Sequence, residues 1–203
     1  IEPLQALIDA CFVLKLKIQD ILNHSFLKYK LINHFKLELQ PNIAKNETKI
    51  NSSEYKYISN NIHTLSNSFP QNLRKINIHA YLFKDNIFFV GNQVSGFIDF
   101  FFSCTDTIIY DLATFVNAWF FSENKFIEEN YVSFLRSYKE SIELTTEEKS
   151  NFNFYLKVSA IRFFLTRIYD LNFNLEGDVK HKNPSEFFEI FKFHEKNNLQ
   201  DFF

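Results

Sequence analysis

The sequence predicts an α+β fold, mostly helical, with one central β-hairpin. Three observations predict it. Apolar residues recur at helical spacing over 4–22, at Leu4, Leu7, Ile8, Cys11, Phe12, Leu14, Ile18 and Leu22. Two short aromatic and β-branched runs, 87–90 and 94–100, flank Gly91-Asn92, a two-residue hairpin signal. After Phe100 the helical pattern returns. With 203 residues, 46% of them hydrophobic, the chain is expected to form a single domain over 1–203 with a sizeable core.

The elements follow in order. A second helix is expected over 24–40, and the polar stretch from Pro41 to Ser53 reads as a solvated loop. Residues 54–68 read as a helix with Tyr55, Ile58, Ile62 and Leu65 on one side, broken at Pro70. A loop over 79–86 leads into the hairpin, whose second strand is expected to end at Ile98-Asp99-Phe100. Residues 108–121 are apolar on nearly all sides and should be a buried helix. Residues 124–139 are amphipathic. Thr145 and Glu148 form a capping box before a long helix to about Tyr169, and 186–194 is a last short helix.

Bulk properties exclude several classes. The net charge is −2 and the 22 basic residues are scattered, so no nucleic-acid or anionic-lipid surface is expected. Cys11 and Cys104 lie in no Cys-x-x-Cys pair, which argues against zinc and for reduced, buried thiols. Asn46-Glu47-Thr48 and Asn51-Ser52-Ser53 fit the glycosylation pattern but follow no signal peptide. No apolar run reaches the roughly 18 residues of a membrane helix. A soluble, cytoplasmic protein is expected. The chain holds three glycines, Gly91, Gly96 and Gly177, and cannot supply a Gly-rich phosphate loop by itself. It has no Met and begins with Ile1, which reads as a fragment.

The residues with chemistry cluster around the hairpin. His79 precedes Asn86 by seven positions, the interval of a kinase catalytic loop, His-x-Asp-x-x-x-x-Asn. The Asp position of that pattern holds Tyr81. Asp99 follows on the second hairpin strand, which would return it beside Asn86. Both are hard oxygen ligands suited to magnesium. Taken singly, His79 reads as a core or capping histidine and Asn86 as a turn residue. Asp99, flanked by Ile98 and Phe100, reads as a carboxylate in an apolar strand that needs a partner.

The stretch INIHAYLFKDNIFFVGNQVSGFIDFFFSCTDTIIYDLATFVNAWFF resembles the homoserine kinases of the aminoglycoside-phosphotransferase-like (choline kinase-like) superfamily. AIRFFLTRIYD, from Ala160, and HKNPSEFFEIFKFH, from His181, resemble its later motifs. The resemblance covers roughly 70–195. It implies the C-terminal lobe of a protein-kinase-like fold, with the N-terminal ATP lobe absent. It implies ATP and Mg2+ as cofactors and transfer of a phosphoryl group to the hydroxyl of homoserine, a step in threonine biosynthesis. By position it makes Asn86 and Asp99 the metal and nucleotide ligands and His79 the brace of the loop. Asp111 becomes structural support, with a helix cap or buried hydrogen-bonding Asp equally open. Arg162 and Arg167, on a late helix with Asp170, are read first as an ion network and second as contacts to a substrate carboxylate.

Departures from the family pattern bear on activity. Tyr81 stands where the family has its catalytic Asp, and a phenol is mostly protonated at pH 7. Asn77 replaces a usual Gly, Lys84 a usual Pro and Lys17 a usual His. Three outcomes stay open: an impaired homoserine kinase lobe, a non-catalytic binding domain, or one half of a kinase whose N-terminal lobe is a separate chain.

Overall fold

The computed structural model describes residues 52–172 and 182–203. The helices expected over 4–22 and 24–40, most of the loop to Ser53, and Cys11, Lys17 and Gly177 lie outside the described residues. Helix α1 spans Ser52–Asn67 and buries Ile58, Ile62 and Leu65, three of the residues that predicted it. Pro70 follows its end. Strand β1, Lys75–Ile78, leads into the loop, and a 3-10 turn at Lys84–Asn86 ends it.

The hairpin forms where its sequence placed it. Strand β2, Ile87–Val90, pairs antiparallel with β3, Gln93–Phe97. Gly91, at φ 59°, takes the first central position of the turn, where a left-handed backbone suits glycine. The second strand is shorter than expected. It ends at Phe97, and a 3-10 turn, Phe100–Phe102, follows.

Two strand pairs were not foreseen. Strand β4, Cys104–Thr107, returns antiparallel to β1, with Ile76 opposite Asp106 and Ile78 opposite Cys104. Strands β5, Phe121–Ser122, and β6, Lys125–Phe126, close a second tight hairpin. Its turn holds Glu123 and Asn124 at φ 50° and 62°, a turn without the glycine that usually announces it. The β1–β4 pair matters most here, because it anchors both ends of the segment that carries the site.

The rest is helical. Helix α2, Ile108–Trp119, is buried from Ile108 to Asn117, as its all-round apolar sequence requires. Helix α3 is Glu128–Ser141. The expected capping box is present, Thr145 with Glu148, but it opens a short α4, Thr146–Ser150. The chain bends at Asn151 before α5, Phe152–Asn172, so one expected helix is two. Helix α6, Ser185–Lys196, packs along α5, and α5 packs on α2.

The abundant phenylalanines fill this helical core as ring pairs. Phe115 stacks on Phe134 at 4.8 Å and Trp119 at 5.1 Å, and Phe163 meets Phe83 edge-on at 4.7 Å. An ion pair between a half-exposed arginine and a buried glutamate ties the entry to β1 to the capping box. Arg74 donates from Nε and Nη2, each at 3.1 Å, to the two carboxylate oxygens of Glu148, which is fully buried. One acidic side chain thereby closes a helix cap and fixes the entry to β1. Among the described residues, no helix is long and apolar enough to cross a membrane.

Candidate active site

The loop between β1 and the hairpin is held by its own backbone. The Asp111 carboxylate, on α2, accepts the amide of His79 at 2.9 Å and that of Ala80 at 2.7 Å. Ala80 sits at φ 61°, a left-handed backbone that costs a non-glycine residue about 1 kcal/mol or more. The two charge-assisted bonds offset that cost. Burial pushes the Asp111 carboxyl up, and the His79 and Ala80 amides pull it down. Of the two readings open for Asp111, the structure thus gives it buried hydrogen bonds to the loop.

His79 is buried, and its Nε2 lies 2.9 Å from the carbonyl of Ile98. With a carbonyl as partner, Nε2 is the protonated nitrogen. Its ring packs on Phe100 at 4.6 Å. These contacts tie the start of the loop to the residues just before and after Asp99. Among the described residues, its side chain makes no hydrogen bond to Tyr81 or Asn86.

Asn86 is buried at the end of the loop and donates Nδ2–H to the Tyr81 carbonyl at 2.9 Å, leaving Oδ1 outside that bond. Its own carbonyl accepts the amide of Ile98 at 3.1 Å. Ile98 therefore bonds Asn86 through its amide and His79 through its carbonyl, and Asp99 is the next residue. The hairpin register, Ile87 opposite Phe97, brings the chain back for this.

Asp99 differs from expectation. It is exposed rather than held in an apolar strand, and its backbone is left-handed, φ 62° and ψ 57°. Short polar residues tolerate that conformation better than most. The reversal lifts Asp99 off the strand line, so the apolar flanks Ile98 and Phe100 do not bury it. The expected burial cost does not arise.

Tyr81 is half-buried in an aromatic box. Its ring lies 5.6 Å from Phe163 in a stacked arrangement, 4.9 Å from Phe83 and 5.1 Å from Phe102. Burial raises the phenol pKa above its ordinary 10.0, and the negative charges of Asp85 and Asp99 add to that, against a lowering by Arg162. At neutral pH it is a proton donor and not a base. The same charges place Tyr81 in the field of Asp99. Asp85 itself pairs with Lys182; burial opposes its charge, but that ion pair holds its carboxyl below the usual range.

The two arginines part ways. Arg167 bonds Glu186 at 2.6 Å and the Asn183 carbonyl at 2.8 Å, fastening the start of α6 to α5. Arg162 is 7% exposed and makes no ion pair among the described residues. Its Nη1 donates to the Ala80 carbonyl at 2.9 Å and the Tyr110 hydroxyl at 2.5 Å. The sequence reading of one shared ion network therefore does not describe Arg162. Tyr110 and Ala80, its partners, carried no sequence signal of this role. Asn117 and His194 were also missed as a pair, although both lie in quoted motifs; Asn117 Oδ1 and His194 Nε2 are 2.8 Å apart and buried.

Among the described residues, no group of three or more His, Cys, Asp or Glu could hold a metal alone. Asn86 and Asp99 fit a different kind of site. Magnesium in phosphoryl transfer takes one or two protein oxygens and fills its shell with water and phosphate.

Comparisons with known proteins show the family and the fold. The sequence pattern of APH, the phosphotransferase enzyme family, matches residues 30–142. The homoserine kinase of Sinorhizobium fredii is 40% identical over 132 residues, 64% of this chain and 40% of that protein. The homoserine kinase of Zymomonas mobilis is 36% identical over 138 residues, 67% of this chain and 43% of that protein. The chain thus spans about 40% of the length of these relatives. The ethanolamine kinase of Plasmodium vivax superposes with a TM-score of 0.56 over 87% of this chain and 50% of its own, at 19% identity, a likeness of fold. With the family pattern covering more than half of the sequence, the chain belongs to the phosphotransferase enzyme family.

Proposed function

We propose that these residues form the catalytic-loop lobe of a homoserine kinase, impaired at its base. The observation that supports the reading is the bond pattern of Ile98, which ties the residue before Asp99 to both Asn86 and His79. In this reading, magnesium held by Asn86 and Asp99 would carry ATP and neutralise the charge of its phosphates. Asp111 and His79 hold the loop in shape, and the substrate is homoserine, as in the relatives.

Tyr81 occupies the position from which a carboxylate would accept the proton of the acceptor hydroxyl. Its raised pKa keeps the phenol protonated at neutral pH, and in this reading a ring larger than an aspartate side chain would crowd the acceptor hydroxyl. Loss of a general base lowers rate by on the order of 10²–10⁴. A nucleotide-covering lobe has a place to pack. The exposed large apolar side chains Phe88, Phe89, Val90, Ile98 and Phe101 gather on the hairpin and the turn around Asp99. That lobe would belong to the same polypeptide or to a separate chain. The same patch favours the second reading, a non-catalytic domain that binds a partner through this face.

The test measures ADP release with ATP, magnesium and homoserine. The chain is used as it is and as Tyr81→Asp, each with and without the N-terminal lobe of a homoserine kinase. Turnover is expected only with lobe and substitution together. Ordinary turnover by the unaltered chain would overturn the impairment. No turnover in the combined sample would favour the binding domain.

A further inference from the structure

Helix α2 grips the loop at two points. Asp111, in its first turn, holds the amides of His79 and Ala80. Trp119, its last residue, donates indole Nε1–H to the Leu82 carbonyl at 3.1 Å. The two grips lie about 12 Å apart along the helix and bracket Tyr81. Neighbouring side chains aim the indole. Phe115 stacks on it at 5.1 Å, Phe89 of β2 meets it edge-on at 6.3 Å, and Lys84 Nζ lies 5.9 Å from the ring centroid.

Asn86 hangs from the same part of the loop. Its Nδ2–H bonds the Tyr81 carbonyl at 2.9 Å, and its backbone amide bonds the Phe83 carbonyl at 3.0 Å. The carbonyl between those two belongs to Leu82, and it is the one that Trp119 holds. Leu82 is buried, and a buried carbonyl that loses its donor is costly, so its peptide would turn to find another. Turning that peptide swings both anchors of Asn86. A buried indole N–H finds an acceptor in most cores, and that alone would make Trp119 a packing residue. Here the acceptor sits between the two anchors of the candidate metal ligand. We infer that Trp119 is a positioning residue: it fixes the Leu82 peptide and, through it, aims Asn86 at the metal. The inference rests on the metal reading of Asn86 above and deepens it.

The experiment uses the full chain with Mn2+ and Mg2+ as probes, since both take oxygen ligands. The unaltered chain is compared with Asn86→Ala and with Trp119→Phe, which keeps a ring against Phe115 and loses the N–H. Mn2+ binding is followed by the electron paramagnetic resonance of the free ion, and amide hydrogen exchange by NMR. The indole Nε1–H signal is read in the same spectra, and it belongs to Trp119 because the chain has one Trp. Trp119→Phe should weaken Mn2+ binding about three- to tenfold, and Asn86→Ala should weaken it further. In Trp119→Phe the Asn86 amide should exchange about tenfold faster or more, while the His79 and Ala80 amides, held by Asp111, keep their rates. An unchanged Mn2+ affinity in Trp119→Phe would overturn the inference, and a loss of binding in Asn86→Ala would then leave the metal reading standing. Exchange that speeds equally at all these amides would overturn it too, since loss of packing alone does that. Selective exchange in a chain that binds no Mn2+ would support the hold of Trp119 on Asn86 and overturn the metal reading. If Trp119→Phe fails to fold, the unaltered chain decides: Mg2+ should shift the indole signal, and a signal that stays in place would overturn the inference.

Discussion

The Asp111 carboxylate lies 2.7 Å from the amide of Ala80, and its other oxygen lies 2.9 Å from the amide of His79. One side chain on α2 thereby sets two successive peptides of the loop, one of them left-handed. Asp111→Asn turns one acceptor into a donor that faces an N–H. A buried, mismatched pair should lower stability by about 2–3 kcal/mol. Chemical denaturation checks this; a loss under about 0.5 kcal/mol would show that Ala80 keeps its conformation without Asp111.

Glu148 gives a second comparison. It closes the capping box by accepting the Thr145 amide at 2.8 Å and also receives Arg74 twice. Thr145→Ala removes one cap bond and should cost about 1 kcal/mol. Glu148→Ala removes the cap bond and the partner of Arg74, whose half-exposed side chain regains water, and should cost about 1–3 kcal/mol. Equal losses in the two variants would mean that the ion pair contributes nothing beyond the cap.

His194 predicts the pH response of stability. Burial, aided by the charge of Lys157, lowers its pKa from 6.5 to about 3. The unfolded chain therefore binds a proton between those values that the folded chain does not. Stability should be full above about pH 6.5 and fall as pH drops towards 3, by on the order of 1 kcal/mol per unit. His194→Gln keeps a polar partner for Asn117 and should flatten that part of the curve. Melting temperatures of both proteins from pH 7 to 4 decide it.

How much of this was legible in the sequence follows from the range of each signal. The hairpin at Gly91 and the capping box at Thr145 are local, and both formed as read. The β1–β4 pair was not, because Cys104–Thr107 is short and mostly polar and its partner lies nearly thirty residues away. The hairpin returned the residue before Asp99 to the Asn86 backbone, but the exposure of Asp99 depends on a left-handed residue that its apolar neighbours concealed. Arg162 was hardest to read. Its partners are a backbone carbonyl and a tyrosine hydroxyl, and charge patterning along a helix does not signal either one.

Tyr81 supplies the last prediction. Tyr81→Phe keeps the three ring contacts and should stay within about 1 kcal/mol of the parent. Tyr81→Asp loses those rings and should cost about 2–3 kcal/mol. The carboxylate would nevertheless stand beside the Arg162 guanidinium, which already acts on the Tyr81 phenol. Arg162→Gln should therefore cost more in the Tyr81→Asp protein than in the parent, by about 1–3 kcal/mol of coupling. A double-mutant cycle by denaturation measures that coupling. A value near zero would mean that a side chain at position 81 points away from Arg162.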